Sequence, residues 1–260
     1  MVLLDGKKIA DEILTNLKTR SKKIKLAVIL VGEDSSSQIF INQKRRACEK
    51  VGIDFELYQF HENGSREILL EEIKKIVNDS VNSGVIIQLP LPEKFNAEEF
   101  LNLIPEEKDI DVLSKKSFEK FARGESLILP PTIGAISTLF KNYKIEIENR
   151  NIVIVGAGRL VGKPLVAWLK LQGAKFSVLD ESVKDISSYT AKADILISGV
   201  GETSLIKGDM VKEGAVVIDF AKDIDFESVS KKAGYITPVP GGIGPITVAC
   251  LLENLIKLNK

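Results

Sequence analysis

The chain is predicted to be an α/β protein of two αβα domains flanking a cleft, the second of them Rossmann-like. Three observations predict this. Short apolar runs alternate with stretches of helical periodicity over most of the 260 residues, the pattern of βαβ units around a parallel sheet. The alternation restarts after Pro130-Pro131-Thr132, as a second domain would. The restarted half contains an apolar run, then a glycine-rich turn, then a helical stretch, which is the strand–turn–helix opening of a Rossmann unit.

The elements follow in order. Residues 6–20 carry Ile9, Ile13, Leu14 and Leu17 at helical spacing. Leu26 to Val31 is a continuous apolar run ended by Gly32 and reads as a buried strand. Residues 36–51 read as a helix ended by Gly52, and Phe55 to Phe60 as a strand. Residues 65–80 form a helix on Ile68, Leu69, Ile73, Ile76 and Val77, and Val85-Ile86-Ile87 is a strand stopped by Pro90 and Pro92. A helix then runs from Thr132 to about Tyr143, Asn151 to Val155 is a strand, and a helix follows the glycine turn through Leu171. Lys175 to Leu179, Ile195 to Ser198 and Ala215 to Ile218 are further strands. Pro238 to Gly242 is a loop and residues 246–258 are the last helix. The boundary is placed near residue 120, giving domains 1–120 and 121–245, with 246–260 packing back on the first. Ligands of parallel sheets lie beyond the carboxyl ends of the strands. In the first half those ends are Gly32 to Ser37, Phe60 to Ser65 and Gln88 to Pro92.

Composition removes several function classes. Lys plus Arg equals Asp plus Glu at 36 each, and this balance suggests no electrostatic footprint for nucleic acid or an anionic membrane. No apolar run approaches the roughly 18 residues of a membrane span. Met1-Val2-Leu3-Leu4-Asp5 is too short and too acidic a start for a signal peptide, and a cytoplasmic location is expected. Cys48 and Cys250 lie far apart in helical stretches and read as packing residues. His61 precedes the turn Glu62-Asn63-Gly64 and reads as a surface loop residue. No disulfide framework and no metal site are expected. Catalysis therefore has to lean on lysine, carboxylates, amides and a cofactor.

The glycine turn points to that cofactor. In Val153-Ile154-Val155-Gly156-Ala157-Gly158-Arg159-Leu160-Val161-Gly162, Gly156 permits the tight turn and Gly158 permits close backbone approach to a pyrophosphate. The following helix N-terminus offers free N–H groups to phosphate. The spacing to Gly162 is one residue longer than the common fingerprint, so Gly162 is expected to pack differently. Asp180 closes the next strand, 24 residues after Gly156. An acid there hydrogen-bonds the adenosine ribose and repels a 2′-phosphate, so NAD is expected, with NADP possible. Ala157 and Gly201 complete the expected cofactor contacts.

Four further segments lie in order along the chain: Ser37 to Cys48, Gln88-Leu89-Pro90-Leu91-Pro92, Lys108-Asp109-Ile110-Asp111, and Thr237 to Thr247. Together they resemble the bifunctional methylenetetrahydrofolate dehydrogenase/methenyltetrahydrofolate cyclohydrolase family. The resemblance covers nearly the whole chain, and its last segment is long and specific. It implies oxidation of 5,10-methylenetetrahydrofolate with a nicotinamide cofactor and hydrolysis of the methenyl product to 10-formyltetrahydrofolate. It implies Lys44 as the acid/base of the hydrolytic step, Gln88 as its amide partner and Asp111 as the pterin-binding acid. It places the stacking aromatic at Phe40, and in Pro238, Gly241, Gly242 and Pro245 the loop lining the cleft where nicotinamide and folate meet. It also implies a homodimer formed through the dinucleotide domain.

The sequence departs from the family at several points. Phe40 stands where the family has Tyr, so a hydroxyl is lost and the hydrolytic step is the one affected. Val112 stands where Gly is usual. Pro131 and Ile133 flank Thr132 where the family reads Pro-Cys-Thr-Pro-x-Gly. Gly156-Ala157-Gly158 replaces a Gly-Arg-Ser whose Arg and Ser serve a 2′-phosphate. Residues 219–225 compress a longer family loop. Two alternatives therefore stand beside the bifunctional reading: a dehydrogenase alone, and a non-catalytic dinucleotide-binding sensor.

Overall fold

The computed structural model describes residues 1–18 and 23–260. In chain order the elements are β1 (Val2–Leu3), α1 (Gly6–Lys18), β2 (Lys25–Val31), α2 (Ser35–Val51), β3 (Asp54–Phe60), α3 (Arg66–Asn78), β4 (Gly84–Ile87), α4 (Ala97–Leu101), α5 (Lys115–Ala122) and α6 (Pro131–Tyr143). They continue with β5 (Ile152–Val155), α7 (Gly162–Leu171), β6 (Phe176–Leu179), α8 (Ser187–Thr190), β7 (Ile195–Ser198), β8 (Val216–Asp219), α9 (Phe226–Val229), β9 (Tyr235–Ile236) and α10 (Ile243–Leu258). The expected continuation of the first helix through residue 20 lies outside the described residues. Among those described, no helix is long and apolar enough to cross a membrane.

The chain divides into two compact units, Asp11–Pro131 with Val248–Lys260, and Met1–Ala10 with Thr132–Thr247. The division thus falls at Pro131–Thr132 rather than near residue 120, and the first ten residues join the second half of the chain. The reason is β1, which pairs in parallel with β9. The Val2 N–H donates to the Gly234 carbonyl at 2.7 Å and the Leu4 N–H to that of Ile236 at 2.8 Å. A two-residue strand has too little periodicity to be read from sequence. Residues after 120 stay with the first unit because Asn254 of α10 ties them there. Its amide donates to Leu129 O at 2.7 Å and Ile110 O at 3.0 Å.

In the first unit the three strands are parallel in the order β3-β2-β4. Leu26 to Ile29 of the central β2 are fully buried, as expected of a parallel strand covered on both faces. One face packs through Ala27, Ile29, Val85 and Ile87 onto Leu69, Ile73, Ile76 and Val77 of α3 and onto Phe95 and Phe100. The chain passes from β2 to β3 on one side and returns to β4 on the other. The strand order therefore reverses between β2 and β4, and the residues just beyond that switch point are Gly32 and Gln88.

The second unit holds a six-stranded parallel sheet, β1-β9-β8-β7-β5-β6. Its four-residue strands β5, β7 and β8 are buried throughout. Here the order reverses between β5 and β7, which pair with Val155 opposite Ser198. A crevice beyond such a switch point is where open α/β sheets bind ligands, and the residues there are Gly156 and Gly199. The last helix starts at Ile243, three residues earlier than expected, because Pro245 in a first helical turn has no intrahelical hydrogen bond to lose.

Candidate active site

Helix α2 carries the first candidate. Asp34 caps it by accepting from the Ser37 N–H at 2.7 Å, and Gly52 ends it at φ +83°, a left-handed conformation that glycine takes without strain. Its buried face is Ile41, Ala47, Cys48 and Val51. Phe40 is 49% exposed beside Ile39 at 60%, so its ring face is open to a partner. Lys44 follows one turn later and is half-buried.

Lys44 Nζ donates to Gln88 Oε1 at 2.7 Å, joining α2 to the end of β4. Gln88 is 8% exposed, and its Nε2 donates to Leu89 O at 2.8 Å. An ammonium can only donate, so this second bond holds the amide oxygen towards the lysine. Burial lowers the Lys44 pKa, opposed by the charges of Asp111 and Cys48. Burial raises Asp111 to about 6, opposed by Lys44 and reinforced by Asp109. Lys44, Gln88 and Asp111 thus form one electrostatic group in which burial draws the cation and the acid towards neutrality. Burial pushes the Cys48 thiol up to about 12, which leaves it a packing group rather than a nucleophile.

The segment Lys108 to Asp111 separates its roles by position. The Lys108 ammonium donates to Val77 O at 2.8 Å and Asp79 O at 2.7 Å, closing the end of α3. Asp109 is buried and accepts from the Leu113 and Ser114 N–H groups at 3.2 and 2.9 Å. Ser114 caps α5 through the Ser117 N–H. Ile110 fills the core. Asp111 is the residue of the four whose charge acts on Lys44. The backbone then turns through Val112 at φ +58°. A left-handed residue with a Cβ costs roughly 1–2 kcal/mol, more for a β-branched one, which is the physical reason a glycine suits this position.

In the second unit β5 runs into Gly156 at φ +101°. A Cβ on Gly162 would lie 2.1 Å from Gly156 O and 2.7 Å from Ala157 Cα. Gly162 is therefore the glycine that lets the start of α7 lie against the turn. A Cβ on Gly158 would meet nothing within 4 Å, so this turn presents open space there, with Ala157 exposed beside it. The residue before α7 is Val161, which supplies no side-chain cap. Gly201 follows β7 at φ +93°, also facing open space. Asp180 is exposed just beyond β6. Its Oδ1 accepts from the Ser182 hydroxyl and from the Ser182 N–H at 3.0 Å, and these bonds hold its carboxyl below the usual range.

Pro238, Gly241 and Gly242 form one turn that leads into α10, where Pro245 lies. The Gly242 N–H donates to Pro238 O at 2.8 Å, and Gly241 sits at φ +108°. Gly6, which sequence reasoning passed over, braces this turn. Its N–H donates to Gly241 O at 3.0 Å, and a Cβ on it would lie 1.7 Å from Gly242 O. Also passed over was a polar group at the strand ends, Ser198, Asp219, Asp223 and Thr237, all buried. Its one legible signal was a pair of acids four apart following an apolar run.

Comparison with known proteins gives a consistent picture. The family model "Tetrahydrofolate dehydrogenase/cyclohydrolase, catalytic domain" matches residues 4–111. The model "Tetrahydrofolate dehydrogenase/cyclohydrolase, NAD(P)-binding domain" matches residues 130–260. The chain is 41% identical over 275 residues to the bifunctional protein FolD of Hydrogenobaculum sp., covering 100% of this chain and 99% of that protein. The solved structure of the bifunctional FolD methylenetetrahydrofolate dehydrogenase/cyclohydrolase of Campylobacter jejuni is 39% identical. It has a TM-score of 0.92 and covers 99% of this chain and 98% of its own. That of the Trypanosoma brucei enzyme, complexed with NADP cofactor and inhibitor, is 28% identical with a TM-score of 0.93, covering 99% and 96%.

Proposed function

Since the chain belongs to the tetrahydrofolate dehydrogenase/cyclohydrolase family, we propose from that premise its site residues, its preferred dinucleotide and its assembly. It oxidises 5,10-methylenetetrahydrofolate to the methenyl form with a nicotinamide dinucleotide, and hydrolyses the methenyl form to 10-formyltetrahydrofolate. The observation that carries the site reading is the 2.7 Å bond from Lys44 to Gln88 beside Asp111. In this reading the folate unit is Asp11–Pro131 with Val248–Lys260, and the dinucleotide unit is Met1–Ala10 with Thr132–Thr247.

The residues divide the chemistry as follows. The Asp111 carboxylate accepts two hydrogen bonds from the pterin amino and ring N–H groups, and the exposed Phe40 ring stacks on the folate. Pro238, Gly241, Gly242 and Pro245 contribute a close backbone wall. The two nitrogens flanking the methylene carbon stabilise the cation left when hydride departs, so the protein's task in that step is alignment and exclusion of water. When bound, the nicotinamide accepts that hydride. In the second step water adds to the methenyl carbon and one carbon–nitrogen bond breaks. Lys44, with its pKa lowered by burial, takes one proton of the attacking water as neutral amine and returns it to the departing nitrogen, and the water's second proton is released to solvent as the formyl carbonyl forms. Gln88 holds the amine without a permanent ion pair.

The Asp111 titration gives a pH signature. As pH falls through about 6 the carboxylate takes up a proton and can no longer accept both pterin hydrogen bonds. kcat/KM for the folate should fall about tenfold per pH unit below that point. Asp111→Asn should flatten this limb at a low level. A wild-type profile level from pH 7 to 5 would exclude Asp111 from folate binding.

The residues at the glycine turn suit a dinucleotide: Gly158 faces open space, Gly162 admits close packing, and α7 starts without a side-chain cap. Gly156, Ala157, Gly158, Gly162 and Gly201 would hold its phosphate-bearing part, and Asp180 its adenosine ribose. NAD is the preferred form, because an Asp180 carboxylate held ionised by Ser182 repels a 2′-phosphate. Turnover with NAD and NADP tests this. NAD should lead in kcat/KM by about tenfold or more, and Asp180→Ser should raise NADP use by about tenfold. A tenfold lead for NADP in the wild type would sink the assignment.

A dehydrogenase without the hydrolase is favoured by one observation, the absent hydroxyl at Phe40. A methenyltetrahydrofolate hydrolysis rate no faster than the uncatalysed one would support it. Assembly is as a homodimer through the dinucleotide unit, whose edge strand β6 leaves Phe176 to Val178 half-exposed. A monomeric mass by light scattering at micromolar concentration would refute this. The cytoplasm is the compartment proposed, where cytosolic fractionation of the cells should recover the activity.

A further inference from the structure

Residues 219–225 had no place in the cofactor reading, yet they build a tightly hydrogen-bonded group. Asp219 ends β8 with both carboxylate oxygens used by its own loop. Oδ1 accepts from the Ala221 N–H at 2.9 Å and the Asp223 N–H at 3.1 Å, and Oδ2 from the Ile224 N–H at 3.1 Å. Its N–H donates to Thr237 Oγ1 at 2.8 Å. The loop so folded presents Asp223, which is fully buried. Asp223 turns away from its own loop to the one that follows β7. Its Oδ2 accepts from Ser198 Oγ and the Val200 N–H, both at 2.7 Å. Its Oδ1 accepts from the N–H groups of Gly201 and Glu202 at 2.8 and 2.9 Å. Backbone bonds from Ser204 N–H to Lys222 O at 3.1 Å and Ile206 N–H to Asp223 O at 2.9 Å fasten the far end of the same turn.

We propose that Asp223 is a positioning residue for dinucleotide binding, fixing the turn Ser198 to Glu202 at the switch point of the six-stranded sheet. This rests on the assignment of that crevice to the dinucleotide. Three successive N–H groups that would otherwise point at random are gathered on one buried carboxylate. The remaining faces of Gly199 and Gly201 are thereby held in place: Gly199 lies against Val161 before α7, and Gly201 faces open space. A second wall of the crevice is set before ligand arrives, so less ordering is left for binding to supply. Four donors on one carboxylate make charge-assisted bonds, stronger than neutral ones. No contact of Asp223 with the ligand itself is required.

The test uses the full-length chain with Asp223→Asn. The amide keeps one acceptor oxygen but presents an NH2 to the other pair of donors. Ser198 can rotate its hydroxyl to accept, whereas the Val200 N–H cannot. The KM for NAD should rise about tenfold, the loss of roughly one such bond, while kcat stays within about threefold. Methenyltetrahydrofolate hydrolysis, which uses no dinucleotide, should stay within about twofold, a split that general destabilisation would not give. A KM for NAD within twofold of wild type overturns the proposal, and so does a parallel loss of both activities. Should the variant not fold, Ser198→Ala removes one donor and leaves the carboxylate in place. A KM for NAD raised about threefold then supports the role, and an unchanged one overturns it. A wild-type chain that binds neither NAD nor NADP overturns the reading of the crevice, and this proposal with it.

Discussion

Lys44→Met should reduce methenyltetrahydrofolate hydrolysis by about 10²–10⁴-fold, the range that a positioned acid/base group supplies. Methionine matches the length of the lysine stem and fills the same half-buried space on α2, so the variant isolates the amine. The fold should tolerate it. Gln88 Oε1 loses its donor, which costs roughly 1–3 kcal/mol if the oxygen stays dry. Removal of a partly buried ammonium offsets part of that. Hydride transfer needs no proton from this residue, so oxidation of methylenetetrahydrofolate should fall far less, within about tenfold. Single-turnover assays of the two steps on one preparation make the comparison. Hydrolysis by the variant at the wild-type rate would remove Lys44 from the mechanism. A loss equal in both steps would make it a structural residue instead.

Gly162→Ala is the second large effect. The added Cβ would lie 2.1 Å from Gly156 O, 2.7 Å from Ala157 Cα and 2.9 Å from Ala157 C. All three are backbone atoms, so no rotamer change relieves the overlap, and the turn has to move by about 1 Å. Misplacement of that size costs about a hundredfold in a positioned reaction. kcat/KM for the dinucleotide should fall by about that factor, and methenyl hydrolysis should remain within about threefold because the Lys44 group lies in the other unit. Dinucleotide titration followed by fluorescence, with a thermal melt to confirm folding, decides the matter. Undiminished binding would mean that the turn can move freely, against the packing seen here.

Much of the scaffold was legible along the chain. Apolar runs of six and four residues marked β2 and β5, and helical spacing marked α1 and α3, because burial on a parallel sheet demands those patterns locally. β1, β9, α8 and α9 span only two to four residues each and escape any periodicity. The two-residue β1 likewise decides where the first ten residues belong, whereas the division at Pro131–Thr132 instead of near residue 120 follows from the long-range bonds of Asn254 to Leu129 and Ile110. The glycine turn was legible because strand, glycines and helix start are contiguous. The spacing also flagged Gly162 as unusual, but the carbonyl it packs against emerged only from the folded turn.

By itself the sequence determined the α/β class, the two restarting halves, the glycine turn and, through four ordered segments, the family resemblance. Each of these depends on neighbours within a few turns of chain. The resemblance also named Lys44, Gln88 and Asp111, but tertiary structure alone supplied the 2.7 Å bond by which Lys44 meets Gln88, 44 positions away. It alone decided that Asp223 reaches back to Ser198, 25 positions earlier. The physical reason is common to both. A side chain's partner across a parallel sheet is set by which strands become neighbours and in which order. Local propensity and hydrophobic period carry no record of that order.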